Sequence, residues 1–198
     1  YSQKTSGVLY VVEVGNGNKD RCRNIELGYI LGVTYPSSEI YAIALDSSEN
    51  IYVTGNFIGS LSKGAESSGG WSSVGDMDIF VRKYSTNWGN YEGEWSRTLG
   101  TSGRDRGTDI AIDSSGNIYV TGQTYGSLNG NAYSGDSDLF LMKYNSSGTL
   151  SWVQQLGTSG TDNAEALAID NNGNIYITGY TNGALGEIPI GYSSSNMG

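Results

Sequence analysis

The sequence predicts an all-β protein assembled from repeated units of four antiparallel strands. Three observations point there. A segment ending in Asn-Ile-Tyr-Val-Thr-Gly recurs with small variations at Ala42–Gly55, Asp109–Gly122 and Ala166–Gly179. The apolar runs favour Ile, Val, Tyr, Thr and Phe, the residues that fit a pleated surface. Clusters of Gly, Ser, Asn and Asp separate those runs, as turns require.

Two further blocks recur in the same order. Asp78–Tyr84 returns as Asp138–Tyr144, each preceded by Gly-Asp (Gly75-Asp76 and Gly135-Asp136), and Trp95–Asp105 returns as Trp152–Asp162. A unit therefore holds four strands. In the middle copy, strand a is expected near Ile110–Asp113, b at Asn117–Thr121, c at Leu139–Tyr144 and d at Leu150–Leu156. The a-to-b link, Asp113-Ser114-Ser115-Gly116-Asn117, reads as a tight hairpin: the Asp accepts local N–H bonds and Gly takes the positive φ. Glu49 stands in place of that Gly in the first copy, so its turn is either strained or differently built.

Runs such as Leu139-Phe140-Leu141-Met142 and Val8-Leu9-Tyr10-Val11-Val12 are apolar on both faces, unlike a sheet with one side in water. Four-stranded sheets covered on both sides and repeated in series fit the blades of a β-propeller. A β-sandwich is the alternative, but its strands do not normally recur as a four-strand cassette. From Ala42 onward the combined pattern resembles the bacterial β-propeller repeat labelled SBBP, found in cell-surface and secreted proteins. That resemblance implies a propeller of many blades and an extracellular or cell-surface setting, with no single activity. The residues before Ala42 depart most from the pattern.

The chain reads as one propeller segment, 1–198, with repeat units at about 1–84, 85–144 and 145–198, the last incomplete. Propellers close with typically four to eight blades, so about three blades are expected to form part of a larger ring or to join further copies of the chain. Tyr1 is not an initiator Met, and the chain reads as processed, cut or part of something longer.

Composition narrows the function. With 11 Lys plus Arg against 20 Asp plus Glu the net charge is −9, which disfavours nucleic acid as a partner. The absence of His removes imidazole bases, His-ligated zinc and Ser-His-Asp triads. Cys22 is the single cysteine, so the chain holds no internal disulfide or thiolate metal cluster. No run is long and apolar enough to span a bilayer. No cofactor, metal or catalytic residue is expected. Asp46, Asp113 and Asp170, with Asp105 and Asp162, are read as turn-stabilising carboxylates, because the Asp170–Asn174 loop is too short for a calcium hand. Asp76 with Asp78, and Asp136 with Asp138, suit a carboxylate pair by type, but a catalytic pair is needed once rather than once per blade. Trp95, Trp152, Phe80 and Phe140 recur and are expected between blades.

In a propeller the d-to-a and b-to-c loops share one face. The longest examples, Gly15–Glu39 and Asn56–Gly75, both belong there, and long loops on a rigid scaffold are where binding concentrates. Candidate ligand-binding residues on that face are Lys19, Arg21 and Arg23 in the first loop, Trp71 in the second, and the non-repeating Tyr125 and Tyr133. The expected role is a non-enzymatic surface or secreted module that binds a protein partner or serves as a scaffold. A lectin-like carbohydrate binder is the alternative, and a glycan-cleaving enzyme a more distant one.

Overall fold

The structure is a computed structural model that describes residues 8–13, 21–26, 38–61, 71–85 and 93–184. Fourteen strands run in chain order: β1 (Val8–Glu13), β2 (Arg21–Glu26), β3 (Ser38–Leu45), β4 (Ile51–Phe57), β5 (Ser60–Leu61), β6 (Trp71–Ser72), β7 (Asp78–Tyr84), β8 (Gly93–Leu99), β9 (Asp105–Ile112), β10 (Ile118–Thr124), β11 (Asp138–Tyr144), β12 (Leu150–Leu156), β13 (Asp162–Ile169) and β14 (Ile175–Thr181). β3-β4-β7-β8 and β9-β10-β11-β12 form two antiparallel four-stranded meanders, and β13-β14 pair as the first two strands of a third. This is the predicted blade architecture. The sheets group residues 38–99 and 105–156, so the sequence units counted from Tyr1 are cut between strands c and d of each sheet.

Two connections contain structure where the sequence suggested loops. Within Gly15–Glu39, β2 pairs antiparallel with β1, from Val8 opposite Glu26 to Glu13 opposite Arg21. β1 thus sits in its own two-stranded sheet. Within Asn56–Gly75, β5 pairs with β6 through Ser60–Ser72 and Leu61–Trp71. Short polar strands lack the apolar periodicity by which a strand is recognised, which is why they were not visible in the sequence.

Strand a starts five residues earlier than expected, at Asp105, because a β-bulge interrupts its apolar pattern. The pairing skips one residue in all three sheets, at Tyr41, Thr108 and Glu165. The Gly of each Thr-Gly motif faces that bulge. A Cβ at Gly55, Gly122 or Gly179 would stand 1.9 Å from the backbone oxygen of Glu39, Arg106 or Asn163, so backbone contact excludes any side chain there.

The sheets stack through apolar faces, with strand a of each lying against strand a of the next. Tyr52, Val81 and Trp95 of the first sheet join Ile110, Ile118, Val120, Phe140 and Met142 of the second in one cluster. Tyr119, Leu141 and Trp152 of the second meet Leu167, Ile169, Ile175 and Ile177 of the third. The recurring aromatics are therefore packing groups, with Tyr52–Trp95 and Tyr119–Trp152 in matching edge-to-face contacts at 6.0 and 6.1 Å. Polar links cross the second of these junctions: Thr108 Oγ1 donates to Ala164 O at 2.7 Å, and Leu167 N to Asp109 Oδ2 at 2.7 Å.

The outer face of β13-β14 repeats these surfaces with no described sheet against it. Tyr176, the counterpart of Tyr52 (1% exposed) and Tyr119 (7%), is 55% exposed. On the outer face of the first sheet exposure is confined to strand a: Ile43 is 43% exposed, against 4% for its counterpart Ile110, and Leu45 is 58% exposed, whereas their cross-strand neighbours Val53, Arg82, Ile51 and Tyr84 are buried. Arg82 stands where the second sheet has Met142. Its Nε and Nη1 have no acceptor among the described residues, and its guanidinium is 5.2 Å from the Tyr84 ring centroid.

The a-to-b turns are built alike. Glu49 keeps the turn of its glycine counterparts, at φ 63° against 78° for Gly116 and 82° for Gly173, so the first turn is strained rather than rebuilt. Glu49→Gly is expected to raise stability by about 1 kcal/mol in urea unfolding, because an L-residue in the left-handed region carries a penalty of that order.

Candidate functional site

The repeated carboxylates are the natural place to look for chemistry, and all of them but Asp76 and Asp136, whose side chains bond to no described residue, are engaged in holding backbone. Asp113 Oδ1 accepts from Ser115 N and Asn117 N, both at 2.9 Å, and Oδ2 from Asn117 Nδ2 at 2.8 Å and Tyr119 OH at 3.2 Å. Asp46 and Asp170 make the same four bonds with their own turn residues. Asn145 uses this geometry at a c-to-d turn, accepting from Ser147 N at 3.1 Å and Thr149 N at 2.9 Å. The residue that would make Asn145-Ser146-Ser147 a glycosylation sequon thus already organises a turn.

Asp105 and Asp162 brace the d-to-a turns. Thr101 N donates to Asp105 Oδ2 at 2.6 Å, and Thr158 N to Asp162 Oδ2 at 2.6 Å. Asp78 accepts from Val74 N at 2.7 Å, and Asp138 from Ser134 N at 3.1 Å and Gln155 Nε2 at 2.8 Å. Among the described residues no group of three or more His, Cys, Asp or Glu is placed to hold a metal ion.

These environments shift the carboxyls in opposite directions. Burial pulls Asp46, Asp113 and Asp162 upward, but the hydrogen bonds they accept outweigh it and hold them below the ordinary range. Burial dominates at Asp78 and Asp138, aided by the charges of Asp105 and Asp162, and pushes both up.

What departs from the repeat gathers elsewhere. Between the first and second sheets, on the face of the d-to-a and b-to-c loops, lies a cleft of about 190 Å³ lined by Met77, Arg104, Asp105, Arg106, Gln123 and Tyr125. Asp105 N donates to Met77 O at 2.7 Å, closing its floor. Arg106 stacks its guanidinium on Tyr41, 4.6 Å from the ring centroid, while the Tyr41 hydroxyl donates to Glu39. Tyr41 is the bulge residue of β3, and the bulge is how a strand re-aims a side chain.

Of the candidates from the sequence, Tyr125 lines this cleft and is 40% exposed. Tyr133, 38% exposed, lies outside the cleft lining and donates its hydroxyl to Asp136 O at 2.7 Å. Lys19 lies outside the described residues. Arg21 and Arg23 fall in β2 and Trp71 in β6, and their side chains are likewise outside the description. Arg104 and Arg106 were missed, although a signal was present: Gly-Thr-Ser-Gly-Arg-Asp-Arg in one unit becomes Gly-Thr-Ser-Gly-Thr-Asp-Asn in the next.

The comparisons agree with this architecture. The model of the β-propeller repeat family (SBBP) matches residues 29–56, 94–129 and 151–187, about half of the chain. The chain belongs to that family. It is also 31% identical over 130 residues to the uncharacterized WD repeat-containing protein L264 of Acanthamoeba polyphaga mimivirus, an alignment covering 57% of this chain and 9% of that protein. Among the described residues no helix is long and apolar enough to cross a membrane.

The opposed carboxyl shifts predict a two-part pH response. Asp46, Asp113 and Asp162 contribute stability that is present above the unfolded value near ~3.9 and lost as pH falls through their lower folded values. Asp78 and Asp138 have the opposite sign: burial raises both above the ordinary carboxylate range, so their protonation favours the folded chain. Urea titrations should show stability held or slightly raised on mild acidification, then falling below pH ~4. Asp113→Asn should flatten that acid decline, and an unchanged slope would show that Asp113 does not contribute to it.

Proposed function

We propose that the chain is a non-enzymatic binding and structural module, at the cell surface or secreted, that holds a protein partner on the loop face around the Arg104–Tyr125 cleft. One observation carries this reading: the repeated carboxylates are spent on backbone hydrogen bonds, whereas the repeat-breaking Arg104, Arg106 and Tyr125 converge in one cleft. A WD-repeat name on the viral relative is compatible with a scaffold role. The surface or secreted setting rests on the family resemblance. A lectin-like reading is favoured by the exposure of Tyr125 and Tyr133, which offer rings for sugar stacking.

Selection of a random peptide display library against the chain, beside a glycan array, separates the two. Peptides lost on Tyr125→Ala support protein binding. Glycan binding with no peptide selected overturns it.

The exposed outer face of β13-β14 belongs to the same proposal. Tyr176 matches residues that are covered inside the stack, so that face suits a further blade, from a longer chain or another copy. Sedimentation of the 198-residue chain should show self-association that Tyr176→Asp abolishes. A compact monomer at all concentrations would exclude assembly of copies.

A further inference from the structure

We propose that the Arg104–Tyr125 cleft is a carboxylate site, taking the acid group of a Glu or Asp side chain presented by a protein partner. This rests on the reading of the loop face as a protein-binding surface.

The comparison that carries it is between the two sheet junctions. At the second junction the positions of Met77, Arg104, Arg106, Gln123 and Tyr125 are held by Ser137, Thr161, Asn163, Tyr180 and Asn182. Those groups satisfy one another: Thr161 N donates to Asn182 Oδ1 at 2.6 Å, Asn163 Nδ2 to Tyr180 OH at 2.7 Å, and Ser137 Oγ to Asn163 Oδ1 at 3.2 Å. The parallel bridge Ser137–Thr161 repeats Met77–Arg104, so the backbone frame is the same. At the first junction, by contrast, the side chains of Arg104, Gln123 and Tyr125 bond to no described residue, and they line a cleft. The same frame thus carries hydrogen-bonded polar side chains in one place and, in the other, three side chains with no partner among the described residues.

The chemistry of those groups selects the ligand. A guanidinium only donates, and its fork matches the two oxygens of a carboxylate. The Arg106 guanidinium, 4.6 Å from the Tyr41 ring centroid, is held at the cleft by a cation–π contact. Gln123 and Tyr125 add further donors. The one acid in the lining, Asp105, is already committed: it accepts from Thr101 N at 2.6 Å, from Thr101 Oγ1 at 3.0 Å and from Thr124 Oγ1. Glu39, behind Tyr41, receives the Tyr41 hydroxyl.

Size points the same way. Clefts for drug-sized ligands run to roughly 300–1,000 Å³, and about 190 Å³ suits the head of one side chain. The net charge of −9 opposes an acidic partner at long range. Near ~0.15 M salt the screening length is ~8 Å, so the local arginines decide.

The test is an NMR titration of the isotope-labelled chain with a blocked tetraglutamate peptide and its tetraglutamine counterpart. Tetraglutamate is expected to bind, with shifts at Arg104, Arg106, Gln123 and Tyr125, and tetraglutamine to bind at least tenfold more weakly, on the order expected for losing a charge-assisted pair. Arg104→Thr and Arg106→Asn, the residues of the next repeat, should each weaken tetraglutamate roughly tenfold while amide signals of the other sheets stay in place. Equal affinity for both peptides, no binding of tetraglutamate, or unchanged affinity in the double variant overturns the carboxylate site. If Tyr125-dependent peptides are nonetheless selected from the display library, the protein-binding reading survives and only its chemistry is wrong. If neither binds, both readings fall.

Discussion

The stacked sheets of this molecule depend on inner strands that bury both of their faces. All seven residues of β4 are buried, as are six of seven in β7 and in β10. Such a strand has no side suited to water, so a single blade exposes an apolar face until another blade covers it. At about 25 cal/mol per Å² of apolar surface, a face of Tyr, Trp, Val and Ile is worth several kcal/mol when covered. Stacking is thus part of folding, and each blade's stability belongs to its junctions. β14, with no described sheet beyond it, shows the contrast: Tyr176, Thr178 and Tyr180 lie exposed.

With its faces given over to packing, the chain places its polar order at the turns and edges. One device serves repeatedly: a carboxylate or amide at the first turn position collects the donors that a reversing backbone leaves unpaired. Asp46, Asp113, Asp170 and Asn145 do this at four turns, and Asp105 and Asp162 hold the connection between one sheet and the next. The recurrence of these acids therefore follows the recurrence of the turns. Counting acids as candidate catalysts would mistake scaffold for site.

Function on such a scaffold is written as exceptions to the repeat. Arg106 replaces Asn163 on the same frame, reaches Tyr41 across the junction and removes a group that elsewhere closes a hydrogen-bonded network. With Arg104 and Arg106 in place of Thr161 and Asn163, the same backbone bridge carries a donor-rich cleft.

The sequence by itself determined the all-β class, the four-strand unit, the turns and the packing role of Trp95 and Trp152, because these are local patterns that recur and so confirm one another. It determined Tyr125 as an exposed, non-repeating aromatic on the loop face. The bulge at Thr108, the pairing of β1 with β2 and the convergence of Arg104, Arg106 and Tyr125 were decided only by tertiary structure. Each depends on residues far apart in sequence meeting at a particular register, and neither residue type nor spacing along one strand encodes which neighbour a side chain will meet across a junction.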